Sequence, residues 1–473
     1  MNSPQFRYLM RALFLIVACF AFASCGGGGG GSVVAGGGSG GTGISTGVMT
    51  KGSVIVNGVR FEDSLAQITI DDTPKLPADL EDGMVVKVRG KFNADGLTGE
   101  AERIEAENEV QGKIASKGPE ADAFTVLGTK VFVDGGTVWS NVPGSSLAGL
   151  SVDDPVEVHG LRDSANNLRA TRVEFLAGAR LAEPDELKGV VSGLSAGAQT
   201  FFLGTQLVSY GGATIRPAGA LADGILVEVH GSLSGPTFNA TFVDLEDLED
   251  DAFDPAEGEE VEVEGFVSGF GATPGDFFVN GRAVRTTAST RFEGGIPGDL
   301  ANDVRVEAEG HKSGSVLIVE KIEFKESVRI ESNAAGSTAN SVTLLGKTVL
   351  LTSQTDTSGL TVGLTGGLKV RGFLNLDGVT ITATRIDSLS NPVDVDKHIL
   401  QGPVSSFDAP ARTLTIAGIT VNASGTGVEF EDDNDALITP SQFFALLTAN
   451  RTIVKARGTF AAGTITADKV EIE

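Results

Sequence analysis

Apolar and polar residues alternate along most of the chain, and this period of two is typical of β-strands that bury one face. Glycine interrupts the alternating runs at places where tight hairpins need a positive φ. The run 124–133, with Gly128 near its centre, therefore predicts two short strands joined by a hairpin. The pattern as a whole predicts an all-β protein made of short antiparallel strands.

Three short patterns recur six times in the same order, which indicates tandem repeats. The first is an alternating strand that ends in glycine, at residues 86–90, 156–160, 227–231, 306–310, 368–372 and 454–458. The second is Ala or Val, two further residues and then Ile or Val, at 101–104, 170–173, 240–243, 319–322, 383–386 and 467–470. The third is a glycine between two β-rich runs, at Gly58, Gly128, Gly204, Gly281, Gly346 and Gly418. Six units share the 427 residues from 47 to 473, which is about 71 residues each.

A sheet of about five or six strands must bury one face, and closing it into a small barrel also removes its exposed edges. In the last unit, Thr439, Pro440 and Gln442 predict a helix, because they offer an N-cap, a proline at the first helical position and a capping-box side chain. A barrel with a helix or turn before its fourth strand is OB-like in outline. We therefore predict a tandem array of six small antiparallel, OB-like β-barrels. Repeats 1 to 6 are placed at residues 47–108, 109–178, 187–246, 260–326, 327–390 and 396–473.

The order of these patterns resembles the DUF5666 family of bacterial repeat proteins. The clearest copy runs from Gly402-Pro-Val-Ser through Thr413-Leu-Thr-Ile-Ala-Gly to Ala467-Asp-Lys-Val. The resemblance covers nearly all of residues 47–473, although repeat 5 opens with Val328-Arg-Ile-Glu-Ser and lacks the first glycine. It implies an exported, often lipidated, β-rich protein of unknown biochemical function, and it supplies no catalytic residues.

The N-terminal segment predicts export. A short basic stretch precedes the apolar run 12–23, which is too short for a membrane span of about 20 residues and suits a signal peptide. The run ends in Ala-Ser before Cys25, which resembles a bacterial lipobox, so we expect residues 1–24 to be cleaved and Cys25 to carry a diacylglyceryl anchor. Residues 25–46 would then be the lipidated cysteine and a Gly-rich tether, and Gly26 suggests the outer membrane by analogy. An ordinary secretory signal or an uncleaved anchor is the alternative.

Charge and aromatic content exclude several partners. Lys and Arg number 36 against 62 Asp and Glu, a net charge of −26, and so acidic a surface repels the phosphates of nucleic acid. Beyond the signal peptide, Trp139 and Tyr210 are the sole Trp and Tyr residues, which argues against a stacking platform for sugars. The expected partner is the membrane, through the anchor, with an envelope protein or a glycan left open.

The sequence offers no convincing catalytic group and no cofactor motif. Ser195 lies in a Gly-x-Ser-x-Gly match, but between two β-like runs, where a hairpin is expected in place of the strand-to-helix turn that a nucleophile needs. His159 and His230 occupy the same position of two repeats, on the polar side of their strands beside Glu157 and Glu228. We expect this polar side to face water.

The acidic run is the least ordinary segment. From residue 244 to 264, 12 of 21 residues are Asp or Glu. We expect residues 247–259 to form a self-repelling linker that leaves two groups of three barrels loosely coupled. The alternative is low-affinity Ca²⁺ capture, with Asp247, Asp250, Asp251 and Asp254 as candidate ligands.

These observations favour a non-enzymatic, lipid-anchored scaffold or ligand-presenting protein of the cell envelope, in the periplasm or on the surface. A carbohydrate- or divalent-cation-binding envelope module is the alternative, and a hydrolase built on Ser195 is a third hypothesis.

Overall fold

A computed structural model describes residues 41–473, except 52, 179–183, 218–220, 247–252, 362 and 435. The described residues form one compact unit. The described chain is dominated by β-strands, as predicted, and its single described α-helix, α1, spans Pro440–Leu446. Short 3-10 helices occupy Pro77–Asp79, Pro143–Ser145, Leu147–Gly149 and Pro297–Asp299. None of the described helices is long and apolar enough to cross a membrane.

The strands of the first three repeats follow the chain without interruption. Repeat 1 contains β1 (Thr42–Val48), β2 (Val54–Val56), β3 (Val59–Glu62), β4 (Gln67–Ile70), β5 (Thr73–Lys75), β6 (Val85–Phe92) and β7 (Thr98–Ala106). Repeat 2 contains β8 (Val110–Lys117), β9 (Ala123–Val126), β10 (Thr129–Phe132), β11 (Val138–Ser140), β12 (Pro155–Arg162) and β13 (Leu168–Phe175). Repeat 3 contains β14 (Asp185–Ser195), β15 (Thr200–Leu203), β16 (Gln206–Ser209), β17 (Thr214–Arg216), β18 (Leu226–Ser234) and β19 (Thr237–Leu245).

The last three repeats use the same order. Repeat 4 contains β20 (Glu260–Ser268), β21 (Asp276–Val279), β22 (Arg282–Glu293), β23 (Arg305–Ser313) and β24 (Val316–Phe324). Repeat 5 contains β25 (Val328–Asn333), β26 (Gly336–Thr338), β27 (Ser341–Leu344), β28 (Lys347–Gly359), β29 (Gly367–Leu374) and β30 (Ile381–Ser388). Repeat 6 contains β31 (His398–Asp408), β32 (Thr413–Ile416), β33 (Ile419–Asn422), β34 (Glu429–Glu431), β35 (Ile453–Ala461) and β36 (Thr464–Ile472).

Strand pairing confirms the OB-like barrel. In repeat 2, β8 pairs with β9, β9 with β10, β10 with β13, β13 with β12, and β12 returns to β8. The β10–β13 pair is parallel and the others are antiparallel. Repeats 3, 4 and 6 close in the same way. Repeats 1 and 5 do not close fully within the described residues, because their first and second strands are not paired: β1 does not pair with β2, and β25 does not pair with β26.

The recurring glycine patterns have a physical cause in this barrel. The sequence pattern that ends in glycine lies on the fourth strand of the barrel. The register of that strand against the next one shifts at the glycine in all six repeats. A Cβ on Gly372 would lie 2.1 Å from the carbonyl oxygen of Thr382, so no larger residue fits there. The hairpin glycines answer a different need: Asn280 and Gly281 both have positive φ, as a type I′ turn requires.

Burial follows the alternation on the inner face of each barrel. Val156 and Val158 are fully buried, as expected for the fourth strand of repeat 2. The helix α1 is also as predicted, because the Thr439 hydroxyl accepts a hydrogen bond from the Gln442 backbone N–H and Phe443 is buried. The buried apolar residues form one core shared by repeats 5 and 6, one shared by repeats 2 and 3, and separate cores in repeats 1 and 4.

Repeat 1 begins earlier than predicted. Strand β1 starts at Thr42, inside the segment assigned to the Gly-rich tether, and Ile44 is 1 % exposed. Composition alone made this stretch look like coil, but β1 pairs with β6 along its whole length.

The repeats do not form a chain of loosely coupled barrels, and this part of the prediction is wrong. Three sheets of 12 strands each join repeat 1 to repeat 4, repeat 2 to repeat 3, and repeat 5 to repeat 6. The first strand of repeat 1 lies parallel to the first strand of repeat 4, with Ser45 opposite Glu262. The acidic junction therefore does not separate two independent halves, because main-chain hydrogen bonds join the barrels on either side of it. Residues 247–252 of the predicted linker lie outside the described residues.

Candidate metal centre

In repeat 2, the polar side of the fourth strand is buried between repeats. Glu157 is 1 % exposed and His159 is fully buried, so the expectation that they face water is wrong. His159 Nδ1 lies 3.0 Å from the Glu107 carbonyl oxygen, and its Nε2 lies 3.2 Å from Glu157 Oε1. Alternation identified the residues that share a face, but another repeat covers that face.

His230, at the same position of repeat 3, also lies beside carboxylates. Its Nδ1 lies 3.2 Å from Glu186 Oε1, and its Nε2 lies 3.4 Å from Asp244 Oδ2. Asn108, just before β8, donates from its side chain to Glu186 Oε2 at 2.7 Å and from its backbone N–H to Asp71 Oδ1 at 3.0 Å. We call this group the histidine seam: Asp71, Asn108, Glu157, His159, Glu186, His230 and Asp244. It connects repeats 1, 2 and 3.

Burial changes the ionisation of this region. Burial, and then the charge of Glu157, raise the pKa of Asp71 to about 7. Nearby, burial raises the pKa of Glu246 to about 8, although its carboxylate lies 2.6 Å from Lys188 Nζ. Burial opposes the charge of His230, but the carboxylates around it, Asp244 first, raise its pKa to about 12.

These shifts predict that the protein loses stability as the pH rises from 6 to 9. A carboxyl whose pKa is raised to about 7 or 8 keeps its proton in the folded state above pH 5, whereas the same carboxyl in the unfolded chain has lost it. Raising the pH therefore destabilises the folded state relative to the unfolded one. His230 acts in the same direction, because its folded-state pKa exceeds its unfolded value. The melting temperature measured at pH 9 should therefore lie several degrees below that at pH 6, and Glu246→Gln should reduce the difference. An unchanged or higher melting temperature at pH 9 would contradict these ionisation states.

Repeat 4 brings three carboxylates together. One oxygen of each of Glu262, Glu307 and Glu309 lies within 4.8 Å of the others, and we call these residues the carboxylate cluster. Glu262 lies on β20, directly opposite Glu309 on β23. Glu307 is two residues from Glu309, on the same side of β23. The Ser45 hydroxyl of repeat 1 donates a hydrogen bond to Glu262 Oε2 at 2.8 Å.

Two lysines balance part of this negative charge: Lys321 lies on β24, and Lys325 directly follows that strand. Lys321 Nζ lies 2.8 Å from Glu309 Oε2. Lys325 contacts Glu307, and its Nζ lies 3.1 Å from Glu323 Oε1. Burial, and next the charge of Glu307, raise the pKa of Glu262 well above its usual range. Burial also raises the pKa of Glu307 to about 7.

One atom of the cluster lacks a partner. Glu307 Oε1 is buried and has no hydrogen-bond partner. Hard divalent cations prefer several such carboxylate oxygens. Among the described residues, this is the one group of three or more acidic, histidine or cysteine side chains close enough to hold a metal ion.

The acidic residues chosen from the sequence are not the ones brought together. Asp254 is a surface residue, and its Oδ1 lies 2.6 Å from Lys312 Nζ. Asp247, Asp250 and Asp251 lie outside the described residues, as does Cys25. The sequence prediction named none of Glu262, Glu307 and Glu309 as a ligand. A signal was present, because acidic residues face each other across the strands of this repeat, which is unfavourable without a cation between or beside them.

Three other residues considered in the sequence analysis lie at a strand end or pack against a hydrophobic core. Ser195 is exposed at the end of β14, and its hydroxyl accepts a hydrogen bond from the Ala198 backbone N–H at 3.3 Å. Trp139 is half-buried and packs on the core shared by repeats 2 and 3. Tyr210 packs on the same core, with its ring centre 5.6 Å from that of Phe201.

A cavity of about 800 Å³ lies where repeats 2, 4 and 5 meet. Three of the arginines that line it are engaged with neighbouring groups. Arg371 contacts Asp299, and Arg305 Nε donates to Glu264 Oε1 at 2.9 Å. The guanidinium of Arg169 lies over the ring of Phe266, 5.4 Å from its centre. These contacts make the cavity wall part of the packing between repeats.

Six segments of the chain match the family described as "Domain of unknown function (DUF5666)", at residues 42–105, 111–174, 188–244, 264–323, 329–387 and 401–471. The chain belongs to the DUF5666 family. Each of the six DUF5666 matches coincides with one barrel, and the first match begins at Thr42, the first residue of β1. No curated protein matches the chain. Among solved structures it is similar to "drosophila Unr CSD456", at 13 % identity and a TM-score of 0.14, with 46 % of this chain and 96 % of that chain covered.

Proposed function

We propose that this DUF5666 chain is a lipid-anchored scaffold of the cell envelope and has no catalytic role. The observation that carries the proposal is the joining of six barrels into one compact unit, in which charged strand faces are used to hold repeats together. The apolar run before Cys25 and the glycines after it support export and attachment to the outer membrane. The unit would stand in the periplasm or at the surface.

A sugar-binding role has less support. Trp139 and Tyr210 pack against a core, where their ring faces do not form an exposed platform. The hydrolase hypothesis has less support still, because Ser195 lies at a hairpin and not on a strand-to-helix turn.

Replacing Cys25 by serine tests the anchor. The variant cannot form the thioether to lipid, so we expect it in the soluble fraction after export, or as an unprocessed precursor, while the wild-type protein sediments with membranes. Fractionation followed by mass measurement of the N-terminus distinguishes these forms. Cys19→Ser is the matched control and should leave the wild-type distribution unchanged. A cleaved Cys25→Ser protein that still sediments with membranes would contradict lipid anchoring.

A further inference from the structure

We propose that Glu262, Glu307 and Glu309 bind a divalent cation that prefers oxygen ligands, of the Ca²⁺ and Mg²⁺ class, at the contact between repeats 4 and 1. This site is a different function from the scaffold role. It does not depend on where the protein is located.

The spacing of the carboxylates suits such an ion. Oxygens bound to Ca²⁺ lie about 2.3–2.6 Å from it, so two oxygens on opposite sides of the ion are about 5 Å apart. The three cluster oxygens lie within 4.8 Å of one another, which places them at ligand separations. Glu307 is fully buried and its Oε1 has no hydrogen-bond partner, so this atom has a free coordination position. The side chain of Glu309 is 15 % exposed and gives the ion a route from solvent.

The balance of charges around the cluster also favours the binding of a divalent cation. Four carboxylates meet here, those of the cluster and that of Glu323, and two lysines, Lys321 and Lys325, contact them. When all four carboxylates are ionised, this group carries an excess of two negative charges, which equals the charge of one divalent cation. The neighbouring Glu264 is not part of this excess, because it pairs with Arg305 at 2.7 Å.

Repeat 3 shows how the same positions are neutralised without an ion. There, Lys188 lies opposite Glu228 and Glu186 lies opposite His230 across the first and fourth strands. The corresponding pairs of repeat 4 are Glu264 with Glu307 and Glu262 with Glu309, so both positions set acid against acid. Like charges directly opposite each other destabilise a sheet, and a bound cation would remove that cost.

A cation at this site would also strengthen the contact between barrels that are far apart in sequence. The Ser45 hydroxyl donates to Glu262, and Ser45 lies opposite Glu262 in the parallel β1–β20 pair. A cation bound to Glu262 would hold this carboxylate in place at the contact with repeat 1.

Isothermal titration of the full processed chain with CaCl₂, and separately with MgCl₂, at constant ionic strength tests the proposal. We expect saturable binding of one ion to this site, with release of protons that is measured by repeating the titration in buffers of different ionisation enthalpy. Glu262→Gln should weaken this binding at least tenfold, because the amide keeps the size of the side chain and removes its negative charge. Glu309→Gln, at the more exposed ligand, is a second variant for the case that Glu262→Gln does not fold.

Two control variants separate this site from other acidic groups. Glu320→Gln changes an exposed carboxylate of the same repeat, 60 % exposed, and should bind as the wild type does. Asp254→Asn does the same for the acidic junction. Flat titrations of the wild-type protein with both ions would overturn the proposal, as would binding that Asp254→Asn abolishes and the cluster variants retain. Neither result bears on the scaffold role, which the fractionation of Cys25→Ser tests separately.

Discussion

Replacing Gly372 by alanine is expected to lower the free energy of unfolding by more than about 4 kcal/mol, an exceptional loss for one substitution. The new Cβ would lie 2.1 Å from the Thr382 carbonyl oxygen and 3.0 Å from the Ala383 Cα. Both are backbone atoms of β30, so relief requires the β29–β30 pair to move apart. Chemical denaturation followed by circular dichroism measures the loss.

Gly336→Ala is the matched control in the same repeat. A Cβ at Gly336 meets nothing within 4 Å, so its effect should stay within about 0.5 kcal/mol. If Gly372→Ala were as stable as this control, the recurring glycine would not be explained by the close approach of the fifth strand.

Replacing Val158 by aspartate is expected to unfold repeat 2 and to weaken repeats 1 and 3 with it. Val158 is fully buried between Val110 and Val173, and an unpaired charge there costs several kcal/mol. Repeat 2 shares a sheet with repeat 3, and the Thr171 hydroxyl donates to the Gly83 carbonyl oxygen of repeat 1 at 2.6 Å. Hydrogen exchange should therefore show lost protection beyond the mutated barrel.

The matched control is Val152→Asp, at a position of the same repeat that is 48 % exposed. It should keep wild-type exchange throughout. Normal protection of repeats 1 and 3 in Val158→Asp would mean that the barrels are independent, as the linear array predicted from the sequence would be.

The barrel could be predicted from the sequence because the patterns that specify it are local. Alternation places Val156 and Val158 on one face, and the Asn280-Gly281 pair specifies its turn through positive φ. The helix α1 was also predictable, since Thr439 and Gln442 cap it within four residues.

Contacts between repeats could not be predicted in this way. Alternation puts Glu157 and His159 on the outer side of a barrel but does not say whether water or another barrel covers that side. The pairing of β1 with β20 joins residues more than 200 positions apart, and no local pattern specifies such a partner. The carboxylate cluster itself lies within repeat 4, but the hydrogen bond from Ser45 to Glu262 reaches it across this contact.

Calorimetry gives the most direct test of the claim that the six barrels form one interlocked unit. The heat of unfolding of the chain from Gly38 onward is compared with the van't Hoff enthalpy obtained from the sharpness of the same transition. One interlocked unit predicts that both approach roughly 300 kcal/mol, at about 0.7 kcal/mol for each residue. Several transitions, or a van't Hoff enthalpy near the roughly 50 kcal/mol of one isolated barrel, would contradict it.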